Sequence, residues 1–279
     1  MKIEDIKLAR ALLAGLTDEG KAQFIDKKDE EIILNDKDNR SSIVRIPIQE
    51  NSPVIVITSQ DMDSANSQML KFICNAGKKL DFGDPKEKKF AWEAHVTLQL
   101  TGKVLEDCYL GKAPKNFPFG PESIKAYQRE YFNLLKCLTF FYHYKIRLED
   151  YNGVNQIEYM RECIRHSIKE ELNTNRIVAV LWDPQIDPYE REVPCFNWCQ
   201  VRRIRGDIFR LEILYRSWDV TAVWSNLAGL IKYFVDEVIE PAGAVLGEVI
   251  ITGTSTHCYR HNFDYATLVV GQENSRRLR

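Results

Sequence analysis

The feature that most constrains the fold is the order in which apolar segments follow one another between residues 95 and 253. Runs of β-branched and apolar residues, typical of strands, occupy residues 95–100, 176–183, 197–204, 208–216 and 246–253. Apolar residues at three-and-four spacing, typical of helices, occupy residues 122–138, 154–172 and 223–239. Because the two kinds of segment are interleaved, the sequence predicts a mixed α/β domain. The dipeptide Gly206-Asp207 between two of the runs predicts an antiparallel hairpin.

The first 90 residues carry weaker signals. Apolar residues at helical spacing between residues 6 and 16 predict a short amphipathic helix, and residues 42–48 and 53–58 predict a strand hairpin. Residues 78–89 are highly charged and contain glycine and proline, which favours a solvated loop or linker. A boundary is therefore predicted near residue 90, with residues 1–90 either a cap or part of the same domain as residues 91–279.

The balance of charge excludes one class of partner. Lys and Arg number 38 against 40 Asp and Glu, which leaves a formal net charge of −2 and a pI near 6.3. Without an overall basic field, no DNA binding is expected, and any site for a polyanion must be local. No run approaches the roughly 18 apolar residues that cross a bilayer, and the first residues do not resemble a secretion signal. We therefore expect a cytoplasmic protein without membrane contacts.

The cysteines and histidines give little support to a disulfide framework or a metal site. Seven cysteines, an odd number, are spread along the chain, and the five histidines include no HExxH pair. The sequence contains no CxxC pair either. We therefore expect no bound metal, and cysteines that are mostly small buried hydrophobes.

Two segments could bring a nucleophile and an anion site together. Cys195 follows Pro194 at the start of a predicted strand, where arginines that follow in the chain could activate its thiol. A buried strand cysteine would give the same local pattern. Arg216 and Ser217 stand side by side after the next predicted strand, a pair suited to gripping a phosphate dianion.

Two further features suit a polar ligand. Asn226 lies at the start of the predicted helix over residues 223–239, where its amide could read the edge of a pyrimidine or simply cap the helix. His257 and Tyr259 are two residues apart on a predicted strand and would share one face, a pair that can bind a hydroxyl group.

Taken in order, these residues resemble the thymidylate synthase family over residues 94–265, especially its archaeal members. Pro194-Cys195 resembles the family's nucleophile motif, with Gln200 five residues on. Residues 215–219, Tyr-Arg-Ser-Trp-Asp, are similar to the family's Gln-Arg-Ser-x-Asp segment, and residues 256–259, Thr-His-Cys-Tyr, to its Thr-His-x-Tyr. Further matches lie at the helix start over residues 224–230, in residues 174–184 and in residues 144–148, Tyr-Lys-Ile-Arg-Leu.

The resemblance implies a fold, a reaction and an assembly. The fold would be a thymidylate synthase-like catalytic domain over residues 91–279, with a large bent mixed β-sheet flanked by helices. Two such domains would pack through their sheets as a symmetric homodimer. The enzyme would be a methyltransferase of nucleotide biosynthesis that carries a one-carbon unit from 5,10-methylenetetrahydrofolate to C5 of dUMP, giving dTMP. A covalent adduct of Cys195 at C6 would be the intermediate, and Asn226 favours uracil over cytosine.

The resemblance also assigns roles to individual residues. Its catalytic residues would be Cys195, Tyr144, which helps to remove the C5 proton, and Asp219. The substrate would be bound by Arg176, Gln200, Arg216, Ser217, Asn226, His257 and Tyr259. Arg176 would reach across the dimer interface to the partner's phosphate. The folate would be bound by Asp219, Trp224 and Gly229.

Three departures from the family pattern keep alternatives open. Asn175 precedes Arg176 where the family usually has two arginines, Phe196 replaces a histidine, and residues 274–279 are not the usual small apolar tail. A less complete exclusion of water would give a hydroxymethylase instead, with hydroxymethyl-dUMP or hydroxymethyl-dCMP as product. A second alternative is a non-catalytic paralogue that binds a nucleotide.

Overall fold

A computed structural model describes most of the chain. The described residues are 22–26, 31–35, 41–45, 53–59, 61–81, 89–130, 144–190 and 193–271. The helix predicted between residues 6 and 16 lies outside them.

One mixed sheet of eleven strands organises the described residues. The strands are β1 (Ala22–Asp26), β2 (Glu31–Asn35), β3 (Ser41–Arg45), β4 (Val54–Ser59), β5 (Lys78–Asp81), β6 (Phe90–Thr101), β7 (Val178–Val180), β8 (Phe196–Arg205), β9 (Ile208–Tyr215), β10 (Trp218–Asp219) and β11 (Val245–Tyr259). Their spatial order is β1-β2-β3-β4-β6-β11-β9-β8-β7, with β5 beside β6 and β10 beside β11. The pairs β4 with β6, β9 with β11 and β10 with β11 are parallel, and the others are antiparallel.

Helices flank this sheet. They are α1 (Met62–Ala76), α2 (Gly102–Tyr109), α3 (Gly120–Glu130), α4 (Tyr144–Glu149), α5 (Gln156–Lys169), α6 (Val223–Phe234) and α7 (Phe263–Val270). A π-helical turn, Val235–Ile239, continues α6, and short 3₁₀ turns lie at Asp187–Tyr189, Glu240–Ala242 and Arg260–Asn262. The predicted α/β class, with a large mixed sheet flanked by helices, is therefore confirmed. None of the helices in the described part of the chain has the length and apolarity that crossing a membrane requires.

The alternation of side chains along the central strands separates two faces of the sheet. In β9, Phe209, Leu211 and Ile213 are buried, whereas the residues between them are half-buried. Successive side chains of a strand point to opposite faces, so one face packs against the helices and forms the core. Trp224 and Phe234 of α6 are wholly buried in that core.

The opposite face of the central strands carries a connected set of polar side chains, which we call the polar face. Thr97 of β6 and Thr252 of β11 are joined by a hydroxyl contact of 3.0 Å. Gln99 bonds to Thr58 and to Glu248, and Arg210 forms ion pairs with Glu212 at 2.7 Å and Glu248 at 3.4 Å. All of these polar side chains are half-buried.

The long periodic segments of the sequence are located correctly. The apolar stretch 223–239 forms α6 and its π-helical turn, and residues 208–216 and 246–253 fall within β9 and β11 with a shift of one residue at the end of β9. β8 and β9 form the predicted antiparallel hairpin, and Gly206 in its turn has a φ of +51°, which favours glycine. The predicted helix over residues 122–138 begins as α3, and its second half lies outside the described residues.

The prediction of a loop at residues 78–89 is wrong for its first part. Lys78–Asp81 forms β5 and pairs antiparallel with β6 at residues 90–93. The neighbouring strand supplies the hydrogen bonds that make this short charged segment extended, because β-structure depends on pairing more than on local propensity. Residues 82–88 lie outside the described residues.

The strands before residue 90 continue the same sheet. The predicted hairpin appears as β3 and β4, which pair antiparallel, and β4 then pairs in parallel with β6. Helix α1 follows β4 and buries Met69, Phe72 and Ile73 in the core. The boundary near residue 90 stays a prediction.

A buried ion pair ties α4 to the loop before β8. The Arg147 guanidinium donates to both carboxylate oxygens of Asp187, at 2.7 and 2.6 Å, and to the Leu181 carbonyl at 2.5 Å. The Asp183 N–H adds a bond of 2.7 Å to the same carboxylate. Burial by itself raises the pKa of Asp187, but these hydrogen bonds outweigh it and hold that pKa below its usual value.

We expect Asp187→Asn to lower the free energy of unfolding by about 3–5 kcal/mol, because it leaves the Arg147 charge buried without its partner. Urea unfolding of both proteins measures this difference. The pKa of Asp187 is lower in the folded protein than in the unfolded chain. The ionised carboxylate therefore contributes fully to stability above the unfolded pKa of about 4, and this contribution is lost as the pH falls through the lower folded pKa. Replacement of Lys125 by Met in the exposed Lys125–Glu122 pair is the control, and an equal loss there would contradict the prediction.

Candidate active site

The β8–β9 hairpin places Cys195 beside the end of the following strand. Phe196, the first residue of β8, pairs with Tyr215, the last residue of β9. The Arg216 N–H donates to the Cys195 carbonyl at 2.9 Å and to the Asn197 side chain at 3.0 Å. The thiol and the guanidinium, which a whole hairpin separates in the chain, are therefore on neighbouring residues in space.

The surroundings of Cys195 act on its pKa in opposite directions. The residue is half-buried against the core, and burial raises the pKa of its thiol. The Arg216 charge and a hydrogen bond from Ser217 lower that pKa, but burial outweighs both. The surroundings of Cys195 therefore favour its thiol form.

The Arg216 side chain holds the segment that leads to Cys195. Its Nε donates to the Pro194 carbonyl and one terminal nitrogen donates to the Val193 carbonyl, both at 3.0 Å. A guanidinium has five N–H donors. The described residues accept from only part of this set, so Arg216 can position the loop and still present donors to an anion.

Asp219 lies next to His257 because β10 pairs in parallel with β11. The Asp219 carboxylate accepts from the Thr221 N–H and hydroxyl, both at 2.7 Å, and from the Asn262 amide at 3.2 and 3.3 Å. The Val220 N–H donates to the His257 carbonyl at 3.0 Å. These bonds fix the direction of the carboxylate relative to β11.

A bulge in β11 sets which residues face the site. Gly253 pairs with Val96 and Thr256 with Ala94, so β11 carries one residue more than β6 across this interval. A Cβ on Gly253 would lie 2.2 Å from the Thr256 hydroxyl, which leaves room only for glycine. Beyond the bulge, Thr256 and Cys258 are wholly buried in the core. His257 lies between them on the opposite side of the strand.

The rings of His257 and Tyr259 pack edge to face, with centroids 4.6 Å apart, and His261 stacks on Tyr259 at 5.4 Å. The Nδ1 atom of His257 lies 3.1 Å from the Ser255 carbonyl. A carbonyl only accepts, so Nδ1 carries a hydrogen and, in the neutral ring, Nε2 is the acceptor. His257 is therefore prepared to accept a hydrogen bond from a hydroxyl group.

Tyr259 connects the two halves of the cluster. Burial raises the pKa of its hydroxyl, and the negative charges of Asp219 and ionised Cys195 raise it further. Both groups are therefore close to Tyr259. The structure brings together Cys195, Arg216, Ser217, Asp219, His257 and Tyr259.

Asn226 lies just beyond this cluster, in the first turn of α6. The chain reaches it through a turn in which the Ala222 N–H donates to the Asp219 carbonyl, and the Asn226 N–H then donates to the Ala222 carbonyl. The Asn226 side chain is half-buried and its Nδ2 donates to the Tyr127 hydroxyl at 2.6 Å. The amide is thus held by a residue of α3 and is not the side-chain cap of its own helix.

Sequence comparison identifies relatives of the chain. No protein-family model matches the chain. A protein of Methanosarcina mazei is 31% identical over 60% of this chain and 75% of its own length. Proteins of Methanococcoides burtonii and Methanopyrus kandleri are 32% and 31% identical, over 58% and 53% of this chain and 72% and 69% of theirs. All three carry the name "Putative thymidylate synthase".

The chain belongs to the thymidylate synthase family. In this family member, Tyr144 contacts Phe196, the residue that follows Cys195. Its ring packs edge to face on Phe196 at 5.6 Å, and its hydroxyl accepts from the Phe196 N–H at 3.5 Å. Tyr144 is almost wholly buried, so its hydroxyl approaches the site from the core side.

Two residues predicted to bind substrate lie away from the cluster of this thymidylate synthase-family chain. Gln200 pairs with Val178 across β7 and β8, and its side chain donates to the Asn175 carbonyl. Arg176 is exposed, and its carbonyl accepts from the Tyr159 hydroxyl at 2.7 Å. Within one chain, neither side chain is directed by these contacts toward Cys195.

The two helix residues predicted to bind folate are part of the core. Trp224 is wholly buried, and its indole N–H donates to Asn66 of α1 at 2.9 Å. Gly229 is also buried on α6. Their observed contacts are with the protein. No group of three or more His, Cys, Asp or Glu residues in the described ranges has an arrangement that could hold a metal ion.

Sequence reasoning missed the residues that hold the cluster in place. Asn262 and Thr221 fix Asp219, and Tyr127 fixes Asn226. Thr221 follows Asp219 by two residues, the spacing of a common local turn, and this signal could have been used. The contacts of Asn262 and Tyr127 depend on the packing of distant elements and have no local signature.

We expect Cys195 to react with iodoacetamide with a midpoint at higher pH than a free cysteine, because burial raises the pKa of its thiol. The pH dependence of alkylation, followed by peptide mass spectrometry on the folded protein, measures this midpoint. Ser217→Ala should move it further up because one stabilising hydrogen bond is lost. Wholly buried Cys199 serves as the unreactive control, and a Cys195 midpoint below that of free cysteine would contradict the prediction.

Proposed function

We propose that this chain is a folate-dependent thymidylate synthase that transfers a one-carbon unit to C5 of dUMP. The observation that carries the proposal is the clustering of one half-buried thiol with Arg216, which bonds to the Cys195 carbonyl, and with Asp219, His257 and Tyr259 at the ends of β10 and β11. The proposal agrees with the names of the archaeal relatives.

Cys195 would be the nucleophile. Its thiolate adds to C6 of the pyrimidine, and the electron pair of the C5–C6 bond moves to C5 and O4. C5 would then form a bond to the one-carbon unit and lose its proton, and the folate nitrogen would leave that carbon as an exocyclic methylene forms. A hydride from the reduced folate would convert the methylene to methyl, and Cys195 would leave C6 as a thiolate. Because the ligand-free site favours the thiol, binding of a ligand that excludes water around Arg216 would strengthen the effect of its charge on Cys195.

Arg216 and Ser217 would bind the 5′-phosphate. The guanidinium already contacts two carbonyls of the loop, so a phosphate bound to its other donors would be held at a fixed distance from Cys195. Arg176 would complete the phosphate site from the partner subunit. Its exposure in the single chain is compatible with that role. Asn175 supplies no second positive charge there, so we propose a phosphate site with one cation fewer.

His257, Tyr259 and Asn226 would orient the nucleoside. The Nε2 atom of His257 is an acceptor, as the ribose 3′-hydroxyl requires. The Tyr259 ring packs against His257, and the raised pKa of its hydroxyl keeps it protonated and able to donate. Asn226 would bind the N3 and O4 edge of the base. Gln200 would support the same site indirectly, because its side chain ties β8 to the Asn175 carbonyl in the segment before β7.

Asp219 fits a ligand with N–H donors, such as the ring of a reduced folate. One carboxylate oxygen accepts from the Thr221 N–H and hydroxyl and from Asn262, whereas the other accepts only from Asn262 among the described residues. A carboxylate oxygen with unused lone pairs can accept from a ring N–H. The folate supplies the one-carbon unit and the hydride. Trp224 and Gly229 would support its site through the packing of α6 on the core.

Tyr144 would assist removal of the C5 proton. Its hydroxyl lies at the first residue of β8, directly after the nucleophile. From this position it can hold a water or the proton itself near C5. Its almost complete burial excludes bulk water from that side of the site.

The thymidylate synthase-like fold and the homodimer form part of the same proposal. The polar face carries half-buried threonines, Gln99 and the charged group around Arg210, opposite the side on which the described helices pack. A second copy packed on this face would complete the burial of these paired groups. Residues 91–279 would be the catalytic domain, and residues 1–90 a cap or an extension of it.

Incubation with methylenetetrahydrofolate and, separately, dUMP, dCMP, UMP and CMP should yield dTMP, seen by mass spectrometry as a gain of CH₂ on dUMP. Cys195→Ala should abolish the product and the release of tritium from C5-labelled dUMP, because no covalent adduct can form. A gain of CH₂O would identify a hydroxymethylase. Nucleotide binding without tritium release would identify a non-catalytic paralogue, and both outcomes would overturn the synthase proposal.

A mixture of Arg176→Ala and Cys195→Ala subunits tests the dimer. Each variant alone should be nearly inactive. The mixture should regain up to about a quarter of the wild-type activity, since about half of its dimers are hybrids and one of the two sites in a hybrid has both its own Cys195 and the partner's Arg176. Tritium release after unfolding and joint refolding measures the recovery. Absence of recovery, with hybrids demonstrated by native mass spectrometry, would show that Arg176 does not act across the interface.

A further inference from the structure

We propose that Tyr127 selects uracil over cytosine by fixing the orientation of the Asn226 amide. The inference rests on the proposed function, since it requires a pyrimidine bound at Asn226. It adds a specificity-determining residue on α3, a helix that contributes none of the residues assigned above.

The contact is direct and joins two helices that are distant in sequence. The Asn226 Nδ2 donates to the Tyr127 hydroxyl oxygen at 2.6 Å. Both side chains are half-buried, so water competes only partly for this bond. The backbone of Asn226 is part of the first turn of α6, bonded to the Ala222 carbonyl, so only its side chain can adapt to a ligand.

The neighbouring residue fixes the position of Tyr127. The Gln128 amide donates to the Ala228 carbonyl of α6 at 3.1 Å. The same nitrogen lies 3.1 and 3.0 Å from the carbonyls of Cys108 and Tyr109 on α2. Gln128 therefore ties α3 to both neighbouring helices, and the Tyr127 hydroxyl stays at a fixed place relative to Asn226.

The orientation of the amide has a chemical consequence. With Nδ2 turned to Tyr127, Oδ1 is the acceptor left for the base, and the second hydrogen of Nδ2 can still donate. Uracil presents an N3–H donor and an O4 acceptor, which this arrangement matches. Cytosine presents an N3 acceptor and a 4-amino donor, and it requires the amide to turn over.

If the Asn226 amide turned over, its Oδ1 atom would take the place of Nδ2, 2.6 Å from the Tyr127 hydroxyl oxygen. Two acceptors would then face each other unless the tyrosine hydroxyl turned its hydrogen toward Oδ1. Binding of cytosine therefore costs the Nδ2 bond or a rearrangement of the hydroxyl, whereas binding of uracil costs neither. The preference is set by Tyr127 through Asn226.

Tyr127→Phe is the test, because it removes only the hydroxyl oxygen. The measurement is kcat/KM for tritium release from C5-labelled dUMP and dCMP with methylenetetrahydrofolate. The dUMP preference should fall about tenfold, the effect of one hydrogen bond on discrimination. Tyr109→Phe is the matched control, since it removes a half-buried hydroxyl that bonds to Asp236 at 3.0 Å, and its preference should equal that of the wild type.

A double-mutant comparison separates this role from a general effect on packing. In an Asn226→Ala background, Tyr127→Phe should leave the ratio of the two substrates unchanged, because Tyr127 acts only through the amide. An unchanged ratio in Tyr127→Phe alone, or an equal fall in both backgrounds, would overturn the inference. If Tyr127→Phe does not fold, as judged by circular dichroism, Asn226→Ala alone must lose the preference for the inference to stand.

Failure of the proposed function gives a different result. The wild-type protein would then release no tritium from either nucleotide. Isothermal titration with dUMP and dCMP still reports the base preference in that case. Equal affinity of the wild-type protein for both nucleotides would overturn the role of Tyr127 as well.

Discussion

Antiparallel pairing of β8 with β9 is the constraint on which the candidate site depends. It brings the residue before one strand to the residue after the other, and thereby joins Cys195 to Arg216. Below this junction, Phe196 stacks on Tyr215 at 5.7 Å, and Tyr215 on Trp218 at 5.3 Å. A column of buried aromatic rings of this kind resists compression and displacement. The residue that follows the thiol is therefore anchored in this buried column.

The site carries a positive charge near Cys195 and a negative charge near β11. The Arg216 guanidinium acts on the thiol from the end of β9, whereas the Asp219 carboxylate lies beside His257 of β11, and both the thiol and that carboxylate act on Tyr259. A ligand with an anionic group at one end and hydrogen-bond donors at the other would match both ends at once. A nucleotide followed by a reduced folate has this order of groups. The arrangement thus supports the proposed substrates through charge as well as through residue identity.

Periodicity predicted the long elements, but it could not predict the contacts between them. The apolar pattern over residues 223–239 located α6, because burial of a whole face requires that spacing. The charged strand β5 carries no such pattern, since its structure comes from the strand beside it. Pairs such as Arg147 with Asp187 or Tyr127 with Asn226 join single polar residues from separate elements. Membership of a family motif did not predict a contact with the site either. Trp224 lies in such a motif, and its side chain is wholly buried in the core.

The bulge in β11 decides which side chains of the strand belong to the site. Side chains alternate along a regular strand, but the extra residue in the bulge lets Gly253 and Thr256, three positions apart, lie on the same buried face. If the same residues ran as a regular strand without the bulge, Thr256 and Cys258 would face the ligand and His257 would face the core. An imidazole and a hydroxyl would be replaced by a shorter hydroxyl and a thiol without any substitution at those positions. In this strand, an irregularity of the backbone specifies the chemistry of the pocket.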